Sequence, residues 1–137
     1  MKRIHFAVMS LAIATGILHA RAQPLPGSPP SISEPQTAFS ALLGRWVRPD
    51  GGYIISIKSV EASGKLDASY ANPNPLPFYA AMATADGGTL KLFFELRSGG
   101  YNGSTYTLNY DAAADRLKGV YYQAVAKQSF EVVFVRE

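Results

Sequence analysis

From Gly44 to Glu137 the chain repeats one pattern: a short run of alternating apolar and polar residues, a turn, then another such run. In "TLKLFFELR" Leu90, Leu92, Phe94 and Leu96 take one parity, while Lys91, Glu95 and Arg97 take the other. "KLDASYA" sets Leu66, Ala68 and Tyr70 against Lys65, Asp67 and Ser69, and "STYTLNY" sets Ser104, Tyr106, Leu108 and Tyr110 against Thr105, Thr107 and Asn109. A period of two belongs to a strand with one buried face. Eight strands are predicted, over about 44–48, 53–61, 65–71, 78–85, 89–97, 104–110, 116–125 and 128–136. Consecutive short strands at this spacing predict an all-β fold, an eight-stranded antiparallel up-and-down β-barrel, because closure removes the open edges of a flat sheet. A two-sheet β-sandwich is the alternative. Eight strands enclose an interior that side chains fill, or that holds one small ligand.

The residues before this pattern have other work. Residues 1–22 read as a bacterial signal peptide: Lys2 and Arg3, an apolar run from Phe6 to Leu18, and Ala20-Arg21-Ala22 as an A-x-A cleavage site. The apolar run is too short for a membrane span, which takes about 20 residues. Cleavage after Ala22 implies a periplasmic or secreted protein. Residues 23–41 begin "QPLPGSPPSISEPQ", whose prolines and small polar residues predict an extended tether. The barrel domain is assigned to residues 42–137.

Removal of the leader changes the charge and the chemistry together. Lys2, Arg3 and Arg21 leave with it, so thirteen Lys/Arg fall to ten, against ten Asp/Glu. The surplus of positive charge thus belongs to the leader, and no nucleic-acid partner is expected. Both histidines, His5 and His19, leave as well, and the chain has no cysteine. Nucleophilic catalysis loses its usual base and zinc its usual ligands. The expectation is a protein that is not an enzyme and carries no cofactor or metal. Asp111 and Asp115 in "DAAAD" offer too few oxygens for calcium and read as a turn.

The links between strands fall into two groups. "ASG", "ADGG" and "DAAAD" are ordinary hairpin turns, whereas "PDGG", "NPNPLP" and "SGGYNG" are longer and less usual. In an up-and-down meander alternate links lie at alternate ends, so the unusual ones share a rim. That asymmetry predicts one open mouth and one plain end.

The first strand opens "LLGRWVRPDGGY", and the last ends on Arg136, which shares the parity of Phe130, Val132 and Phe134. A Gly-x-Trp in the first strand answered by a basic residue at the end of the last resembles the calycin barrels, the lipocalins and avidins. The resemblance implies that Gly44, Trp46 and Arg136 are structural, with the basic side chain closing over the tryptophan at the blind end. Length is similar to the avidin type. Tyr70, Ser104 and Tyr106 fall near avidin ligand contacts. Arg48 and Gly52, however, replace small polar residues of the first loop, Leu96 and Tyr121 stand where tryptophans clamp biotin, and Gln128 stands where an Asp is expected. The wording of "NPNPLP", "STYTLNYD" and "LKGVYYQAV" is also similar to that of small exported bacterial proteins of unassigned function.

These observations predict an exported, non-enzymatic barrel that binds a small polar uncharged or zwitterionic molecule at its open rim. The candidate ligand-binding residues are Arg48, Asp50, Tyr70, Asn72, Ser104, Tyr106, Tyr121 and Gln128. Tyrosines supply an apolar ring with a hydroxyl, although the inward Tyr70, Tyr106, Tyr110, Tyr121 and Gln123 would equally serve to fill the barrel. Two other functions remain open. The proline-rich arm on a barrel resembles the plan of some periplasmic protease inhibitors, and a structural envelope role needs no site at all. Val47, Val120, Tyr122, Val133 and Val135 point outward, which predicts a homo-oligomer through the outer face of the seventh, eighth and first predicted strands.

Overall fold

The computed structural model describes residues 38–137. The expected leader and all of the tether up to residue 37 lie outside the described residues. A 3-10 turn at Ser40–Leu42 leads into nine strands: β1 (Gly44–Val47), β2 (Ile54–Val60), β3 (Leu66–Ala71), β4 (Pro75–Pro77), β5 (Ala80–Asp86), β6 (Thr89–Leu96), β7 (Ser104–Asp111), β8 (Arg116–Gln123) and β9 (Gln128–Arg136). All pair antiparallel in one sheet of order β4-β3-β2-β1-β9-β8-β7-β6-β5. The fold is all-β and up-and-down, with the sheet curled like a barrel. No helix of the described residues is long and apolar enough to cross a membrane.

The ninth strand is β4, formed inside the link "NPNPLP". Its residues Pro75, Leu76 and Pro77 pair with Ala71, Tyr70 and Ser69. Prolines have no N–H to give a ladder, so this strand can only be a short edge. After Pro77 the chain leaves β3: Phe78 packs on Phe94 with ring centroids 4.6 Å apart, and the Tyr79 N–H donates to the Glu95 carbonyl at 2.8 Å. The two ends of the curl then meet again at one place. Lys65 bridges Met82, and the Ala83 N–H donates to the Gly64 carbonyl at 2.7 Å. A Cβ on Gly64 would lie 2.1 Å from the Ala83 oxygen, so only glycine permits this approach. Between these contacts β3 and β5 stand apart, and a cleft of about 460 Å³ opens there, lined by Leu66, Ala68, Phe78, Tyr79 and Met82 among others.

Turn chemistry follows the sequence. Gly87 and Gly88 both have positive φ, 57° and 82°, as a two-residue hairpin between Asp86 and Thr89 requires. The alternating faces then sort themselves. Trp46, Ile55, Tyr70, Leu92, Phe94, Tyr106, Leu108, Leu117 and Phe134 turn inward and are essentially fully buried. They fill the middle of the curl. The outer face of β8 and β9 exposes Val120, Tyr122 and Val133, with Lys118 opposite Val133 and Glu131 opposite Val120.

Candidate functional site

The strand β1 carries its inward parity one step beyond its end, from Trp46 to Arg48. Arg48 is only 9% exposed, and its own N–H donates to the Tyr53 carbonyl at 2.9 Å across the first link. Its Nε and Nη2 donate to the two carboxylate oxygens of Asp50 at 3.0 and 2.7 Å. The guanidinium lies 4.5 Å from the centre of the Tyr53 ring and also engages the Tyr106 hydroxyl. Burial works against the charge on Arg48. The hydrogen bonds to Asp50 and Tyr106 outweigh it and raise the pKa, so the side chain is a fixed cation. Asp50 responds in the opposite sense: its hydrogen bond from Arg48 lowers its pKa.

Below Arg48 runs a chain of phenols. The hydroxyls of Tyr70 and Tyr106 lie 3.4 Å apart, Tyr101 donates to Tyr70 at 3.4 Å, and the Asn72 amide donates to Tyr101 at 3.0 Å. The Tyr106 ring stacks on Tyr121 with centroids 4.6 Å apart. Ser104, fully buried, donates to the Tyr101 carbonyl at 2.6 Å and accepts from the Ala124 N–H at 3.1 Å, tying the β6–β7 link to the β8–β9 link. Burial chiefly raises the pKa of Tyr70, of Tyr106 and of Tyr121. At Tyr106 the bonds with Tyr70 and Arg48 pull the other way without winning. These phenols therefore stay protonated at neutral pH and offer hydrogen bonds.

Above this floor lies a cleft of about 430 Å³ at the rim of the first, third, fifth and seventh predicted links. Of the sequence candidates, Arg48, Asn72, Ser104 and Tyr121 line it. Tyr70 and Tyr106 lie beneath as buried supports. Asp50 reaches it only through Arg48, its own side chain being 62% exposed. Gln128 is exposed and stands opposite Gln123 in the ladder, and it is Gln123 that lines the cleft. Tyr53, Val125 and Phe130 also line it and are not among the sequence candidates. For two of them the signal was parity: Tyr53 shares that of the buried Ile55 and Ile57, and Phe130 that of the buried Val132 and Phe134, whereas Val125 lies in the turn after β8.

The opposite end is plugged. Arg136 pairs across the ladder with Trp46, and its guanidinium carbon lies 4.2 Å from the indole centre. The same guanidinium donates to the carbonyls of Leu43 at 2.5 Å and Ala41 at 2.7 Å, and to both oxygens of Asp115 at 2.7 and 3.0 Å. Trp46 Nε1 donates to the Leu42 carbonyl at 2.9 Å. Gly44 is there because it must be: its φ is +130°, and a Cβ would fall 2.8 Å from Arg136 Nη1. "DAAAD" is a turn whose last residue, Asp115, grips the plug.

Among the described residues no group of three or more His, Cys, Asp or Glu could hold a metal ion. Comparison with protein-family models, curated proteins and solved structures finds no match.

Proposed function

We propose that this is an exported binding protein, without catalytic chemistry, that holds one small polar uncharged or zwitterionic molecule in the rim cleft. One observation carries the reading: the inward side chains through the middle of the curl are fully buried against one another, while the rim keeps an open hollow into which polar groups converge. Arg48, Asn72, Tyr101, Ser104, Tyr121 and Gln123 face it, together with Val125 and Phe130 as apolar wall. Its volume, about 430 Å³, suits a ligand of modest size, ligand pockets usually running from about 300 to 1,000 Å³. The one buried cation there is already balanced by Asp50, so a ligand of zero net charge leaves that balance intact, and binding should depend weakly on salt.

A screen of small metabolites by thermal shift, followed by titration of Tyr121→Ala and Gln123→Ala, tests the site. Both side chains are only half-buried, so the variants should stay folded. Hits should bind each variant about tenfold or more weakly, the loss of one to two kcal/mol expected when a hydrogen-bonding or stacking wall is removed. Hits that bind both variants as tightly as the parent would place the ligand elsewhere.

A further inference from the structure

The ligand's charge type can be argued from the Arg48–Asp50 pair, on the reading that the rim cleft binds a small molecule. The pair is lopsided. Arg48 is sunk into the cleft floor with 10% of its side chain exposed, whereas 62% of the Asp50 side chain meets solvent. A planar guanidinium presents a fork that fits any carboxylate through two parallel hydrogen bonds. Here an exposed residue two positions along the chain fills that fork. The turn that delivers it is anchored to Arg48 itself, since Gly52 donates to the Arg48 carbonyl at 3.0 Å, and space is open around Gly52. Asp50 can therefore swing into water and be rehydrated, whereas Arg48 cannot leave and must keep an anion.

We infer that Asp50 is a built-in competitor for the Arg48 fork, and that the cleft takes a small zwitterion of the amino-acid type whose carboxylate displaces it. Charge decides among the alternatives. An anionic ligand on Arg48 leaves the displaced Asp50 unpaired at the rim, and a cationic one meets an Asp50 already engaged. A zwitterion satisfies both: its carboxylate takes Arg48 and its ammonium meets the released Asp50. An apolar side chain then has Tyr121, Val125 and Phe130 to lie against.

The test uses the ¹⁵N-labelled protein and three probes that differ in one charge each: phenylalanine, phenylalaninamide and 3-phenylpropionate. Signals of the Arg48 Nε–H and the amides of Gly99 to Tyr101 are followed by NMR. Phenylalanine should shift all of them, and phenylalaninamide, lacking the carboxylate, should bind about tenfold or more weakly. Asp50→Asn removes the competitor, so 3-phenylpropionate should bind that variant about tenfold more tightly than the parent. Equal binding of phenylalanine and its amide through the same amides overturns the inference and leaves the cleft standing. An unchanged 3-phenylpropionate affinity in Asp50→Asn overturns the competitor role. If none of the three perturbs the cleft at about 10 mM, well above millimolar affinity, the inference fails, and a wider screen that is also silent removes the cleft reading with it.

Discussion

At the scale of single residues, the plug at Arg136 joins more groups than any other side chain described above. Arg136→Ala removes a cation–π contact and the donors to two backbone carbonyls, and should destabilise the fold by about 2–3 kcal/mol. Arg136→Lys should recover only part of this, because an ammonium lacks the fork. Since Trp46 is the sole tryptophan, its emission reports the loss directly alongside thermal unfolding. Asp115 gives the same plug a pH dependence. The hydrogen bond from Arg136 holds its carboxyl below the usual value. A depressed native pKa contributes stability above about pH 4 that is lost as the pH falls through the native value. The difference in melting temperature between the parent and Asp115→Asn should therefore shrink towards acid. Asparagine suits this comparison, because residue 115 has φ 49° and Asn tolerates that conformation as Asp does. The phenols act at the other extreme. Burial raises the pKa of Tyr70, Tyr106, Tyr110 and Tyr121. Above about pH 10 the unfolded chain ionises its tyrosines while the native one resists, so stability should fall as the pH rises further. Absorbance at alkaline pH should show a group of phenols that ionise only together with loss of the fold.

At the scale of elements, the seam between β3 and β5 is the weakest closure. It depends on Gly64, whose φ is +90° and where any Cβ would collide with the Ala83 carbonyl oxygen. Gly64→Ala should cost about 1–3 kcal/mol and open the seam. Hydrogen exchange at the Ala83 amide would then quicken, while amides in the β1–β9 ladder keep their protection. Strand positions were readable from the sequence because a half-buried strand writes its period of two into every second residue. Arg136 was readable for the same reason, its parity continuing that of Val132 and Phe134. β4 was hidden: a Pro-Leu-Pro segment argues against a strand unless its neighbour is known. Arg48 was hidden in part. "RPDGG" reads as a solvated turn, whereas Arg48 in fact lies over the Tyr53 ring and engages Tyr106, a residue 58 positions away that the curl of the sheet brings to it.

At the scale of the whole molecule, the strand order shows that neighbours in the sheet are neighbours in sequence everywhere except where β1 meets β9. In its backbone pairing the described chain is thus two local meanders, β1 to β4 and β5 to β9, joined by that one distant ladder and by the contact of Gly64 and Lys65 with Met82 and Ala83, while the tyrosine hydroxyls add side-chain bonds between them. Hairpins form in microseconds, whereas a pairing such as Trp46 with Arg136 must first close most of the domain into a loop. Docking of β1 on β9 is the slow event this topology imposes. Rewiring the chain would remove it. A circular permutant that links residue 137 to residue 38 and opens between Pro77 and Phe78 turns the distant ladder into a local one, leaving every strand pair in place. Stopped-flow refolding of that permutant should be faster than that of the parent, and an equal rate would mean that the barrier lies within one meander instead.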